Sequence, residues 1–463
     1  MLPEPSKPLL NAENLAQWLG PEARRGQTLI DAFEAWRPRE RGSAVLVCAP
    51  DRLAFLIGVL VLLRHGATVI LGNPQWAENE WRQLRSLFPP MPVFDGTLED
   101  LDMTATSGPW TGPLLPRRLA GRLLIPTGGS SGELRFAVHT IATLDAAADG
   151  YRRFFGAERI DCACPLPVHH IAGFMCAWRS LRTGGKFTLL NPKNPTNFEA
   201  LRNVHLSLVG KQWQAWTGDR AVRRAMADAA AVLVGAGAPP SHAAAEAQQE
   251  GISLWFSYGL TEAGATVALA DAGAGSEAPA RPLPHLDVQV SESEIHLQGP
   301  SMAEGYWEKS EGREPRFRAL PIPFPTGDLA EPVEGGLRIL GRRDRVIISG
   351  GEKTHPAEVE QALRETGLVA DAAIVALADP DWGSVAACAF VPANGPVDGN
   401  TLKQALQLKL APWKLPKHWR AVDELPRSSM GKLALPRLRA LFETSDQAPA
   451  KGAPGGAGNG NAS

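Results

Sequence analysis

The sequence predicts an α/β protein: a large N-terminal domain of stacked, mostly parallel sheets, followed by a small C-terminal α+β domain. Three observations carry that reading. Over 44–72 an apolar strand (VLVCAP), a strongly apolar helix and a second strand (ATVILG) follow one another, the order of a βαβ unit, whose crossover makes its strands parallel. Short apolar strands recur at 122–125, 187–190, 206–209, 231–234 and 253–256, with helical stretches between most of them. Beyond Gly341 the pattern changes to strand (VIIS), helix (PAEVEQALRE), two strands (AAIVAL, VAACAFV), helix (TLKQALQLKL), strand (HWRAV) and a last helix (PRLRALF), enough for a compact domain of its own. The expected boundaries are 1–340 for the large domain, 341–445 for the small one, and 446–463 for a disordered tail too poor in apolar residues to offset the entropy of ordering.

Each element has a local reason. The run 53–63, between Arg52 and Arg64, is apolar all round and so reads as a buried helix; it is far shorter than the roughly 20 residues that cross a bilayer. The segment TGGSSG at 127–132 joins a strand to a second, alternating one in which Leu134, Phe136 and Val138 share a face. PLPVHHIAG at 165–173 leads into a helix that places Ala172, Met175, Cys176 and Arg179 on one side. VLVGAGAPP and SLWFSYGLTE each end a strand in small or polar residues, the second in a turn carrying Tyr258, Thr261 and Glu262. Ligands of open α/β sheets collect at such carboxyl ends.

Composition narrows the partners. With 463 residues, formal charge -2, 44% hydrophobic and 21% charged residues, the chain is an ordinary globular protein, not a disordered, collagenous or disulfide-stapled one. Lys+Arg at 47 against Asp+Glu at 49 leave no positive excess for a phosphate backbone, so a small molecule is expected as partner, with no nucleic acid and no stable membrane insertion. Self-association is left open. Cys48, Cys162, Cys164, Cys176 and Cys388 are odd in number and set in apolar stretches, and the opening MLPEPSKP lacks a secretion-signal layout. The expected setting is the reducing cytoplasm. Cys162 and Cys164 have no second pair at finger spacing, so a zinc site is not expected.

Several residues have the chemistry of a site, each with a plainer alternative. Thr127, Gly128, Gly129, Ser130, Ser131 and Gly132 form a loop that can turn N–H and O–H groups toward a phosphate, or simply close a hairpin. It is not a Walker A loop, because Glu133 follows the last glycine and a strand comes next. His170 is either functional or a satisfied structural histidine. Arg179, a cation on an apolar helix face, either has a functional role or, more plainly, snorkels to the surface or pairs with a nearby acid. Lys432, on a Gly/Ser loop near the end of the folded chain, is either catalytic or solvated.

Taken together, these segments resemble the adenylate-forming acyl- and aryl-CoA synthetases, over nearly the whole folded chain. PTGGSSGELR stands where that family has its phosphate loop, with Gly128 for a common serine and Leu134-Arg135 for Pro-Lys. VHHIAG matches through His170, VGAGAP through Gly235 and Gly237, and YGLTE without change. PTGDLA carries Asp328, GRRD carries Arg342 and Asp344, and LPRSSMGK carries Lys432. Leu435 departs from the family, which usually has an arginine there.

The resemblance implies an ATP-dependent acid:CoA ligase that makes an acyl adenylate and then an acyl-CoA thioester, with ATP, Mg²⁺ and CoA. It implies catalytic roles for Lys432, His170 and Thr261, phosphate contacts from residues 127–132, an adenine slot at Gly235, Gly237 and Tyr258, ribose contacts at Asp328 and Arg342, and Mg²⁺ on Glu262. It also implies a mobile C-terminal domain hinged at Asp344, with Gly350 and Gly351 beside the CoA channel. PTGGSSGELRFAVHT and HHIAGFMCAWRSL are most similar to the members acting on 2-succinylbenzoate in menaquinone and phylloquinone synthesis. That acid has a second carboxylate for Arg179 to meet, with Arg182 and Lys186 as rivals. An aryl or medium-chain acyl-CoA ligase, or a catalytically silent nucleotide-binding module, are the alternatives.

Overall fold

The computed structural model describes residues 9–10, 12–36, 43–96, 115–128, 133–193, 195, 198–235, 243–275, 278–309, 313–349, 352–379, 381–427 and 432–443. The tail expected at 446–463 lies outside them. The chain divides into two units, Met1–Asp344 and Arg345–Ser463. The division falls beyond Gly341 because the strand Gly336–Arg342 pairs antiparallel with Phe324–Val333 and so stays with the first unit.

In the first unit, Ala44–Val47 and Thr68–Leu71 lie parallel, Ala44 opposite Thr68 and Val47 opposite Leu71, with the helix Arg52–Arg64 as their crossover. Asp51 caps that helix by accepting from the Ala54 N–H at 2.8 Å. Every residue of 53–63 is buried, as an all-round apolar run requires. Gly58 lets the aromatic ring of Phe33 rest on the helix, since a Cβ there would lie 2.4 Å from Phe33 Cζ.

Two seven-stranded sheets carry the unit. In the first, the parallel strands Val93–Phe94, Ala44–Val47, Thr68–Leu71 and Leu123–Gly128 are extended by antiparallel Leu134–His139, Gly305–Glu308 and Arg316–Ala319. In the second, parallel Phe187–Leu189, Cys162–Cys164, His205–Val209, Ala231–Gly235 and Leu254–Leu260 are extended by antiparallel Ala265–Asp271 and Arg281–Pro282. One hydrophobic core joins residues of both sheets to five helices, Ala12–Leu19, Ala23–Trp36, Arg52–Arg64, Ile141–Phe154 and Ile171–Thr183. No described helix is long and apolar enough to cross a membrane.

Two features go beyond the sequence reading. Tyr258 lies inside the strand Leu254–Leu260, so the turn begins only at Thr261. An antiparallel sheet of Asp287–Ser291, Glu294–Gln298, Phe324–Val333 and Gly336–Arg342 fills the stretch before the second unit. Its strands are half polar, as in Asp287–Ser291, where exposed and half-buried residues alternate; they therefore lack the continuous apolar runs that mark the parallel strands.

The second unit is the expected α+β arrangement. Ile347–Ser349, Glu352–Thr354, Val369–Asp379, Gly383–Pro392 and His418–Ala421 form its sheet. Ile374, Cys388 and Phe390 on one face pack with Val359, Leu363, Leu402 and Leu406 of the helices Pro356–Arg364 and Gly399–Gln407. Ala373, Val375, Ala387 and Ala389 on the other pack with Leu438 of the helix Leu435–Glu443. Leu435, the residue that departs from the family pattern, begins that helix and packs against the same core.

Candidate active site

Three groups of predicted residues come together within the first unit. At the first, Tyr258 O–H donates to Asp328 Oδ2 at 2.8 Å, and Arg342 Nη1 lies 3.4 Å from Asp328 Oδ1 while donating to the Thr326 carbonyl at 2.8 Å. Strand register brings this about, since Asp328 is directly opposite Arg342. Gly327 has φ +73°, and a Cβ on it would stand 2.9 Å from Arg342 Nη2, so the arginine needs a glycine to lie flat here. Burial raises the Asp328 carboxyl above its ordinary value, against the opposing pull of Tyr258 and Arg342. Burial and the neighbouring carboxylate push the Tyr258 phenol up, so it stays a donor. Arg342 also reaches Asp344 Oδ1, at 3.3 Å from Nε.

The second group surrounds the turn Thr261–Ala263, which Gly264 closes at φ +75°. Glu262 is buried, and its Oε1 accepts from Tyr306 O–H at 2.6 Å, with Arg135 Nη2 3.8 Å away. The guanidinium groups of Arg135 and Arg318 lie over the Tyr306 ring at 4.2 and 4.8 Å. His139, at the end of the strand Leu134–His139, donates from Nε2 to the Thr261 carbonyl at 2.8 Å; burial lowers its pKa and keeps the ring neutral. Thr127 and Gly128 end the strand of the adjoining hairpin, opposite Arg135 and Leu134. Gly129, Ser130, Ser131 and Gly132 lie outside the described residues. Gly235 ends the strand Ala231–Gly235, where a Cβ would sit 3.3 Å from the Ser257 carbonyl oxygen; Gly237 is outside the description.

The third group lies on the helix Ile171–Thr183. His170 is its N-cap residue, its ring 4.5 Å from that of His169 and tilted by 47°; burial lowers the His169 pKa to about 4. Gly173 lets the helix start against the Pro167 carbonyl, which a Cβ would approach to 2.3 Å. Arg179 does not snorkel; it is 3% exposed. Its Nη2 donates to Thr266 Oγ1 at 2.9 Å, its guanidinium lies 3.9 Å over the Tyr151 ring, and its Nε has no partner. It forms no ion pair with any described carboxylate. Its rival Arg182 is bound to Asp145 at 2.7–2.8 Å, and Lys186 is exposed.

Lys432 belongs to the second unit, exposed on a loop closed by the bridge between Arg427 and Leu433. Gly350 and Gly351 lie outside the described residues. His139, Tyr306, Thr266 and Tyr151 escaped the sequence reading. Arg135 stood out only as the residue in place of a lysine.

Among the described residues no group of three or more His, Cys, Asp and Glu could hold a metal ion. Glu262 is a lone carboxylate with one oxygen tied to Tyr306. That suits Mg²⁺ carried on a polyphosphate, which needs only one or two protein carboxylates.

Residues 116–307 match the AMP-binding enzyme family, and residues 358–432 match the AMP-binding enzyme C-terminal domain. The chain is 31% identical to the 2-succinylbenzoate–CoA ligase of Salmonella typhimurium over 415 residues, 85% of this chain and 86% of that protein. It is 32% identical to the ligase of the same name from Escherichia coli, over 82% of this chain and 83% of the other. A solved structure of an E. coli MenE variant with bound OSB-AMS superposes with TM-score 0.71 at 26% identity, covering 90% of this chain and 91% of that one.

Proposed function

The chain belongs to the AMP-binding enzyme family, and from that premise we propose that it is an ATP-dependent, AMP-forming acid:CoA ligase whose acid is 2-succinylbenzoate, the substrate in its relatives' names. The observation that carries the choice of acid is Arg179, a buried cation whose partners are a hydroxyl and an aromatic face, with no ion pair to a described carboxylate. Such a group is costly in an apolar interior and is offset by an anion arriving with the substrate. A monocarboxylic acid would bring none to that end.

In the first half-reaction a carboxylate oxygen attacks the α-phosphorus of ATP, and the bond to pyrophosphate breaks. In the second, the CoA sulfur attacks the acyl carbon and AMP leaves with its electron pair. Two anions must meet in the first step, so cations and fixed dipoles are needed at the reacting oxygens. Lys432 supplies the cation, Thr261 a hydroxyl donor, and residues 127–132 the N–H and O–H groups for the departing phosphates, with His170 on the acid side. Glu262 holds Mg²⁺, which neutralises phosphate charge when bound. Asp328 accepts from the ribose hydroxyls and Arg342 holds it in place, while Tyr258, Gly235 and Gly237 line the adenine slot. The hinge role of Asp344 and the CoA-channel roles of Gly350 and Gly351 are carried over from the family resemblance as part of this proposal. The five cysteines are free and buried, which fits a reducing cytoplasm.

The test is AMP release and thioester formation with CoA and a panel of acids: 2-succinylbenzoate, benzoate, arylbutanoates and medium-chain fatty acids. The expected result is strong preference for 2-succinylbenzoate. Preference for a monocarboxylate overturns the choice of acid and leaves a ligase; no turnover of any acid, together with no ATP–pyrophosphate exchange, overturns the ligase.

A further inference from the structure

Arg179 is held by residues from three different elements. Thr266 comes from the strand Ala265–Asp271, Tyr151 from the helix Ile141–Phe154, and behind Tyr151 stands His205, the first residue of the strand His205–Val209. The Tyr151 oxygen is 3.0 Å from His205 Nδ1. His205 is pinned through its backbone, opposite Cys162 on one side and Ala231 on the other. Phe155 closes the cluster, its ring 5.0 Å from Tyr151 and 4.7 Å from His205. Tyr151 is fully buried and His205 nearly so.

We propose that Tyr151 is a positioning residue for recognition of the acid's second carboxylate: its ring face holds the Arg179 guanidinium, and the hydrogen bond to His205 fixes and polarises that ring. The proposal rests on the reading of Arg179 given above.

The chemistry of the three groups points one way. Burial, with the charge of Arg179, lowers the His205 pKa to about 4, so the imidazole is neutral. Burial pushes the Tyr151 phenol up, so it keeps its proton. The phenol therefore donates and Nδ1 accepts. Donation draws electron density onto the ring, which strengthens the face that meets the cation. An aspartate in the place of Tyr151 would hold the arginine more tightly, but it would compete with the substrate for the same charge. An aromatic face stabilises the guanidinium without occupying the hydrogen-bonding edge that a carboxylate needs. The unpartnered Nε of Arg179 is part of such an edge.

The experiment measures kcat/KM for 2-succinylbenzoate and for an arylbutanoate lacking the second carboxylate, in wild type, Arg179→Leu, Tyr151→Phe, Tyr151→Leu and His205→Gln, with thermal melts and ATP affinity for each. Tyr151→Leu removes the ring and should lower the ratio of the two efficiencies by about tenfold or more, through KM for the dicarboxylate, with ATP affinity unchanged. Both Tyr151→Phe and His205→Gln keep a ring over Arg179; the first removes the polarising bond and the second replaces its imidazole acceptor with a differently placed amide oxygen. Both should lower the ratio about two- to fivefold, so phenylalanine restores most of what leucine loses. If Arg179→Leu shifts the ratio while folded Tyr151→Leu leaves it unchanged, the positioning role is overturned and the arginine reading stands. Should Tyr151→Leu fail to fold, Tyr151→Ile and Tyr151→Met remove the ring in its place, and an unshifted ratio in a folded one of them overturns the positioning role; an unshifted ratio in Tyr151→Phe overturns the polarising bond. A ratio that Arg179→Leu does not move overturns both.

Discussion

Asp328, half-buried, and Arg179, buried, are two charges in one unit, and they are treated in opposite ways. Asp328 is met from both sides, by a phenol and a guanidinium, before any ligand arrives. Arg179 has an aromatic face and one hydroxyl, and its Nε is unpartnered. A carboxylate that already has a cation beside it can accept from neutral hydroxyl groups and needs no charge from its ligand. A cation without an anion is poised for one. On the proposed roles, neutral recognition of a sugar and charged recognition of an acid correspond to a closed and an open electrostatic arrangement.

Variants at several sites can break or sharpen this contrast. The largest effect is expected outside both clusters. Lys432→Ala should slow adenylate formation by ~10²–10³, the order lost with a preorganised stabilising group, while thioester formation from supplied acyl adenylate survives. Equal losses in single-turnover assays of the two half-reactions would overturn a role for Lys432 confined to the first. Next comes Arg179→Leu, which leaves the substrate's second carboxylate unpaired at a penalty on the order of 2–5 kcal/mol. Efficiency with 2-succinylbenzoate should fall by about that factor, and efficiency with an arylbutanoate should hardly change. A parallel fall for both acids would place the open charge in folding instead of recognition.

Asp328→Asn should weaken ATP binding by roughly 1.5–3 kcal/mol, the worth of a hydrogen bond to a charged group, read by calorimetry. Its effect on stability has the opposite sign. Because burial raises the Asp328 carboxyl above its unfolded value, ionisation costs folding free energy as pH rises through the folded pKa. The asparagine variant should therefore melt no lower than wild type at pH 7, and the comparison should shift toward wild type as pH falls. A lower melting temperature at pH 7 would mean that the closed arrangement is a structural brace. The smallest effect is expected from Tyr306→Phe, which frees Glu262 Oε1 of its partner. Apparent Mg²⁺ affinity, measured by calorimetry with ATP present, should fall about fivefold, close to 1 kcal/mol for one hydrogen bond. No change would remove Tyr306 from the positioning of Glu262.

Much of the framework was legible from local pattern. The buried helix Arg52–Arg64, its flanking parallel strands and the α+β order of the second unit follow from runs and periods of apolar residues, signals that span a few turns or one strand. The half-polar antiparallel sheet from Asp287 to Arg342 was missed because its strands bury only one face. Motif residues such as Tyr258, Glu262, Asp328 and Arg342 stood out by type and context. Their holders did not. His139 reaches Thr261 across 122 residues, Tyr306 reaches Glu262 across 44, and Arg179 reaches Thr266 across 87.

The sequence by itself determined which residue types are available and on which face of a helix or strand each one lies, because periodicity is a property of neighbours in the chain. Which of them meet was decided only in the folded unit. Strand order in the second sheet places Thr266 on a strand that reaches Arg179 and His205 on another that reaches Tyr151, and register places Asp328 opposite Arg342. The same arginine, read along the chain, was equally a snorkelling surface residue. Burial to 3% exposure, on a tyrosine ring instead of an acid, makes it an open charge. Burial and partner choice are sums over distant segments, and no local pattern contains them.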